Sequence, residues 1–134
     1  MTEMTVALRN VPGTEAALGW AGSHTLVVDR GAGIAGGLGL GFNGGELLAL
    51  AIGGCLCNDL RYAAHAEGVA IADIDVAVTV RIDGAPPVVR EARLRVAAST
   101  PEGTAADGVV DRALAASIVL ASVRQGFPVA IDRS

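Results

Sequence analysis

Both cysteines of the chain, Cys55 and Cys57, fall in one apolar stretch, Asn43 to Tyr62, together with the carboxylates Glu46 and Asp59. Any thiol chemistry must happen there. Two cysteines two residues apart are not a disulfide framework, and a Cys-x-Cys pair without further cysteines or a nearby histidine pair is a poor zinc site, so no metal is expected. A cysteine reacts as its thiolate, which needs a nearby cation, a helix N-terminus or a hydrogen-bonding neighbour. Cys55 lies too far into a helix to feel its N-terminus, and Asp59, one turn on, places a carboxylate where it opposes thiolate formation. A reactive Cys55 therefore needs an arginine brought from elsewhere. On composition alone, packing is the default role of two small cysteines in an apolar helix.

The helix that positions these groups is predicted from Gly45 to a stop at Glu67-Gly68, with Glu46 in the first turn, where the dipole favours a carboxylate. At about 100° per residue, Leu47, Leu48, Ala51, Cys55, Asn58 and Asp59 share one broad side, and Leu50, Gly53, Gly54 and Cys57 the other. With so much apolar circumference, the helix is expected to be covered on nearly all sides. Gly53-Gly54 costs roughly 1 kcal/mol per glycine relative to alanine but permits close approach by another element. Glu46 precedes Cys55 by about 13 Å along the axis and points to the opposite side, so the two cannot meet within one chain. An antiparallel partner helix from a second subunit would bring them together. Cys55 and Cys57 diverge by about 200° and cannot bridge without unwinding.

The chain has 134 residues, enough for a single domain, 1–134, with a real core. Trp20, Tyr62, Phe42 and Phe127 are its aromatics, so the core must be aliphatic. A net charge of −4 without a basic run argues against nucleic-acid and anionic-membrane partners. All cations are arginines, which excludes Schiff-base chemistry on lysine. The apolar run Leu47 to Cys57 falls short of the ~18 residues of a membrane span, and Met1 to Arg9 lacks the apolar centre of a signal peptide. A cytoplasmic protein is the expectation.

Strands are predicted over Thr5 to Asn10, Ala16 to Trp20 and His24 to Arg30, with turns at Pro12-Gly13 and Ala21-Gly22. His24 is taken as an exposed histidine at a strand start. Gly31 to Gly45 is glycine-rich but has neither the dinucleotide nor the P-loop order, and is expected to be a flexible crossing loop. Val69 to Asp83 and Val88 to Ala98 alternate as an antiparallel hairpin about Gly84-Ala85-Pro86-Pro87, with Arg81, Arg93, Arg95 and Glu91 on its solvated face. A second helix, Ala106 to Ala121, is predicted to break or shift near Ser117, and a last strand to run from Phe127 to Ile131. The class is α+β, with helices packed on antiparallel sheet.

The run from Glu46 to Cys55, ELLALAIGGC, resembles the Pro-x-Glu-Leu-Leu-Leu-Ala-Ala-Leu-Gly-x-Cys signature of the OsmC/Ohr family of organic hydroperoxide reductases and their OsmC-like relatives. The glycine-rich loop after Asp29, the hairpin Ile71 to Ala98 and the ending VVDRALAASIVLASVRQGFPVAI follow the family's order and spacing. The resemblance implies an intertwined α+β homodimer, antiparallel sheets wrapped around a long central helix, with active sites at the subunit interface. It further implies a first cysteine that attacks peroxide, poised by a glutamate and an arginine, and a second cysteine that resolves the sulfenic acid for reduction by small dithiols. Cys55 matches the first cysteine and Glu46 the glutamate.

Three departures accompany the match. Glycine replaces the proline ahead of the glutamate. Ser117 stands where the second cysteine belongs and cannot form a disulfide. At the early arginine position the chain reads NVPGTE, leaving Arg9 and Arg30 as the nearest candidates for an activating cation. The implied activity is a thiol-dependent peroxidase for small organic hydroperoxides. Cys55 is its nucleophile, an external thiol reductant or a displaced Cys57 resolves it, and no cofactor is needed. The alternative is a catalytically impaired dimer that binds an apolar small molecule at the subunit interface, which Ser117 and the missing arginine favour.

Overall fold

Alternation of apolar and polar residues about two tight turns folds the N-terminal residues into an antiparallel meander: β1 (Ala7–Asn10), β2 (Ala17–Ala21) and β3 (His24–Val28). Its register aligns Leu8, Gly19 and Leu26 across the three strands. β1 and β3 are shorter than predicted, β2 keeps its predicted length one residue further on, and His24 opens β3 as expected. The computed structural model describes residues 1–133. They form two compact units, Met1–Leu48 and a second from Ala49 onward.

Within the first unit, the glycine-rich segment crosses on from β3 to Gly44 as expected, and hydrogen bonds tie it down. The buried Asp29 carboxylate accepts backbone N–H groups from Arg30 at 2.8 Å, Leu38 at 3.1 Å and Leu40 at 3.0 Å, and so pins the loop at several points. The loop returns to β3 through Phe42, whose N–H bonds the Val27 carbonyl at 3.0 Å. Glycine is required at Gly41, because a Cβ there would lie 2.0 Å from that same carbonyl oxygen.

Helix α1 (Gly44–Glu67) ends before Gly68, as its stop signal predicts. Its 24 residues make it longer than the run Leu47 to Cys57, so by length and composition alone it could cross a membrane. It packs along one side, where Ile52, Gly53, Leu56, Leu60, Ala63 and Ala64 are buried. The hairpin of β4 (Asp73–Asp83) and β5 (Val88–Ser99) supplies Ile74, Val76, Leu94 and Val96 to the same core. Helix α2 (Asp107–Ala116) adds Val109 and Ala113. Gly53 sits under β4, where an added Cβ would come 3.0 Å from Val78 Cγ2; the close approach expected of this position is made by the hairpin.

Two expectations need correction. Helix α1 is covered along one stripe only, since Leu50, Ala51, Gly54, Asn58, Arg61 and Tyr62 are exposed. An apolar circumference states how much cover a helix needs, and the described residues supply one side of it. Phe127 to Ile131 forms no strand, and Phe127, Val129 and Ile131 are 67%, 76% and 80% exposed. Alternation gives a segment strand character, but a strand exists only where another edge offers its N–H and C=O groups. The α+β class holds, with two antiparallel sheets and a long helix.

Candidate functional site

Four residues separate Cys55 from Asp59, so on α1 they stand one turn apart on the same side. The Cys55 thiol donates to Asp59 Oδ2 at 3.4 Å. The other side of the sulfur is met by Ser117, whose hydroxyl lies 3.9 Å away and donates to it. Helical geometry stops at Ser117, which has φ −65° and ψ 114°, and resumes as α3 (Ile118–Gln125). The Ser117 Oγ caps α3 by accepting the Leu120 N–H at 3.4 Å. A serine hydroxyl has one proton; with its oxygen engaged by the cap, that proton is free for the sulfur. Ser117 is 2% exposed, so its hydroxyl has both partners inside the protein. Cys55 itself is half-buried.

Among the described residues, none of the other predicted site residues hydrogen-bonds Cys55. Glu46 forms a reciprocal cap at the start of α1: its Oε1 accepts the Asn43 N–H at 3.1 Å while Asn43 Oδ1 accepts the Glu46 N–H at 2.9 Å. This satisfies two of the orphan donors of the helix end. Cys57 is half-buried and unbridged, and the helix runs without a break through Cys55 and Cys57, so the two thiols diverge as expected. Arg30 is held in the first unit by the Glu15 carbonyl at 2.8 Å, by Asp29 at 3.4 Å and by Glu15 Oε2 at 3.8 Å. Arg9 is exposed on β1. Among the described residues, the polar partners of Cys55 are Asp59 and Ser117.

A family model described as OsmC-like protein matches residues 36–132. The chain belongs to the OsmC-like family. No curated protein sequence matches it. Its fold is similar to that of an OsmC-like protein from Mycoplasma pneumoniae, with TM-score 0.75 and 14% identity over 92% of this chain and 88% of that one. It is also similar to an organic hydroperoxide resistance protein OsmC from Legionella pneumophila, with TM-score 0.64 and 16% identity over 92% of each chain. An organic hydroperoxide resistance protein from Elizabethkingia anophelis has TM-score 0.61 and 16% identity over 92% of this chain and 90% of that one.

Two further features of this OsmC-like chain escaped sequence reasoning. One is Asp29. Its carboxyl is held below the usual range, first by the Leu40 N–H and then, against the opposing effect of burial, by the N–H groups of Leu38 and Arg30 and the Arg30 charge. An acidic residue immediately ahead of a glycine-rich loop is the signal that could have found it, since glycines leave many N–H groups in need of an acceptor. The other is an open groove of about 220 Å³ on the first sheet, lined by Val6, Leu8, His24, Leu26, Val28 and Leu47 among others. Every lining residue belongs to the first unit. Among the described residues, no three His, Cys, Asp or Glu side chains gather as metal ligands.

Proposed function

We propose that this OsmC-like chain is a homodimeric, thiol-dependent reductase of small organic hydroperoxides, with Cys55 as nucleophile. The observation that carries the reading is the pairing of Cys55 with Ser117 at 3.9 Å, which puts position 117 beside the sulfur, where the family's second cysteine resolves the first. Family membership and the names of the Legionella and Elizabethkingia neighbours support the substrate class. The exposed side of α1 supports a dimer, since Leu50, Ala51, Gly54 and Tyr62, beside Asn58 and Arg61, form a helix face that the described residues leave uncovered.

Chemistry at Cys55 begins with attack of its sulfur on the terminal peroxide oxygen. The O–O bond breaks, an S–O bond forms, and the products are an alcohol and the Cys55 sulfenic acid. Serine cannot condense with that acid to a disulfide, and Cys57 points away along an intact helix. Resolution therefore falls to an external thiol, which displaces water to form a mixed disulfide, and a second thiol then releases Cys55 and leaves as the oxidised reductant. Glu46 retains one carboxylate oxygen outside its cap and, across the dimer, is the acid that faces the partner subunit's site. Arg9 and Arg30 are the candidates for the cation.

Stopped-flow mixing of the reduced protein with cumene hydroperoxide tests the proposal. Thiol loss is expected to be faster than that of an unstructured cysteine peptide and to disappear in Cys55→Ser. Equal rates for protein and peptide remove it.

The first-sheet groove favours the second reading, a binder of an apolar small molecule. Retention of such a ligand would persist in Cys55→Ser, whereas peroxide consumption would not.

A further inference from the structure

The hydrogen bond between Cys55 and Asp59 poses an electrostatic problem for a nucleophilic cysteine. A thiolate at 3.4 Å from a carboxylate would place two negative charges side by side in a half-buried site. The geometry removes the difficulty if the proton moves within the pair instead of leaving it. Transfer from sulfur to Asp59 Oδ2 yields a thiolate beside a neutral carboxylic acid, so the pair carries one negative charge throughout. The Ser117 hydroxyl, which donates to the sulfur from its buried position, follows that charge onto the sulfur. Charge-assisted hydrogen bonds of this kind are stronger than neutral ones.

We infer that Asp59 is the proton carrier for Cys55, taking the thiol proton and returning it to the leaving alkoxide. This role rests on the hydroperoxide reading above. The Cys55 thiol proton passes to Asp59, and the sulfur lone pair attacks the terminal oxygen of the hydroperoxide. The O–O bond breaks with its electron pair going to the alkoxy oxygen. The Asp59 carboxyl then gives its proton to that oxygen. The hydroperoxide is reduced by two electrons to an alcohol, the sulfur is oxidised by two to the sulfenic acid, and Asp59 ends as the carboxylate it was at the start. General acid–base assistance of this type contributes roughly 10²–10⁴-fold in rate. Asp59 is suited to it by position: its place four residues after Cys55 on a continuous helix holds the carboxyl on the sulfur's own side.

The test compares two reactions of the same thiol at one pH. Alkylation by iodoacetamide releases iodide, which needs no proton, whereas hydroperoxide reduction releases an alkoxide, which does. In Asp59→Asn, which keeps an acceptor oxygen near the sulfur but cannot take up a proton, the rate with cumene hydroperoxide is expected to fall at least about tenfold. The alkylation rate, which needs the thiol proton removed but none returned, should fall by a smaller factor than the hydroperoxide rate. Asp59→Glu, which keeps the carboxyl, should recover hydroperoxide reduction to within about threefold of the unsubstituted protein, in line with general acid–base assistance by a carboxyl group. A hydroperoxide rate unchanged in Asp59→Asn, a parallel fall of both reactions, or an Asp59→Glu variant as slow as Asp59→Asn overturns the assignment. If the unsubstituted protein alkylates normally yet does not react with hydroperoxide, the hydroperoxide reading itself fails, and this role with it.

Discussion

Ser117 serves two elements at once: its Oγ accepts the Leu120 N–H that starts α3, and its hydroxyl lies 3.9 Å from the Cys55 sulfur. The residue that meets the sulfur is thus the extended one at the break between α2 and α3. Serine suits the position in its own right. It caps a helix well, which cysteine does not, and it gives the sulfur a hydrogen-bond donor.

Replacing that oxygen by sulfur should restore the missing half of a two-cysteine cycle. In Ser117→Cys, one equivalent of hydroperoxide is expected to give a disulfide between Cys55 and the introduced thiol, read by mass spectrometry of non-reduced peptides, with Cys57 left as a thiol. Loss of the serine cap should lower stability by about 1 kcal/mol, measured by urea denaturation of the reduced protein. A stable sulfenic acid on Cys55 with no disulfide would mean that the two side chains do not face each other in solution.

Acid should loosen the first unit through Asp29. Its carboxyl in the folded chain lies below the ordinary value of 3.8, so its contribution to stability is fully present above that value. It is lost as pH falls through the lowered folded value. Both carboxylate oxygens accept N–H groups, so Asp29→Asn would turn an amide donor against a backbone donor. The variant is expected to melt at a lower temperature at neutral pH and to lose part of the acid dependence seen in the unsubstituted protein. Parallel melting curves against pH for the two proteins would remove the role given to Asp29.

The second unit depends most on residues that the sequence pattern already singles out as apolar. Leu60 is 0% exposed and packs in the cluster formed by α1, the hairpin and α2. Leu60→Ala is expected to cost about 2–5 kcal/mol in chemical denaturation, the range for truncating a buried leucine whose surroundings relax only partly. A loss below about 1 kcal/mol, close to what surface substitutions produce, would mean that the site collapses freely or is not the centre of the core.

What can be read from the sequence follows local signals. The hairpin is legible because Ile74, Val76 and Val78 alternate against Asp73, Asp75 and Ala77, and α1 because Glu46 and Gly68 mark its ends. The interruption near Ser117 is legible too, though not its consequence, since bringing Ser117 to Cys55 joins residues 62 positions apart. Asp29 escapes for the same reason: its partners Leu38 and Leu40 lie nine and eleven residues on, through a loop whose composition suggests freedom. Phe127 to Ile131 fails differently. Its pattern describes a strand, and pairing depends on an edge that local sequence does not specify.

The exposed side of α1 gives the proposed dimer its most direct test. Leu50 and Tyr62 are 51% and 73% exposed, and a Cβ at Gly54 between them would meet nothing within 4 Å. In an isolated chain, Gly54→Ala should stabilise α1 by about 1 kcal/mol through helix propensity. If a partner helix packs on this side, a larger group there must push it away, because packed interfaces do not absorb extra methylenes without strain. Gly54→Leu is therefore expected to sediment as a monomer with its helical circular dichroism retained, under conditions where the unsubstituted protein sediments as a dimer. A Gly54→Leu protein that remains dimeric would place the subunit contact elsewhere and would separate Glu46 from the partner subunit's sulfur.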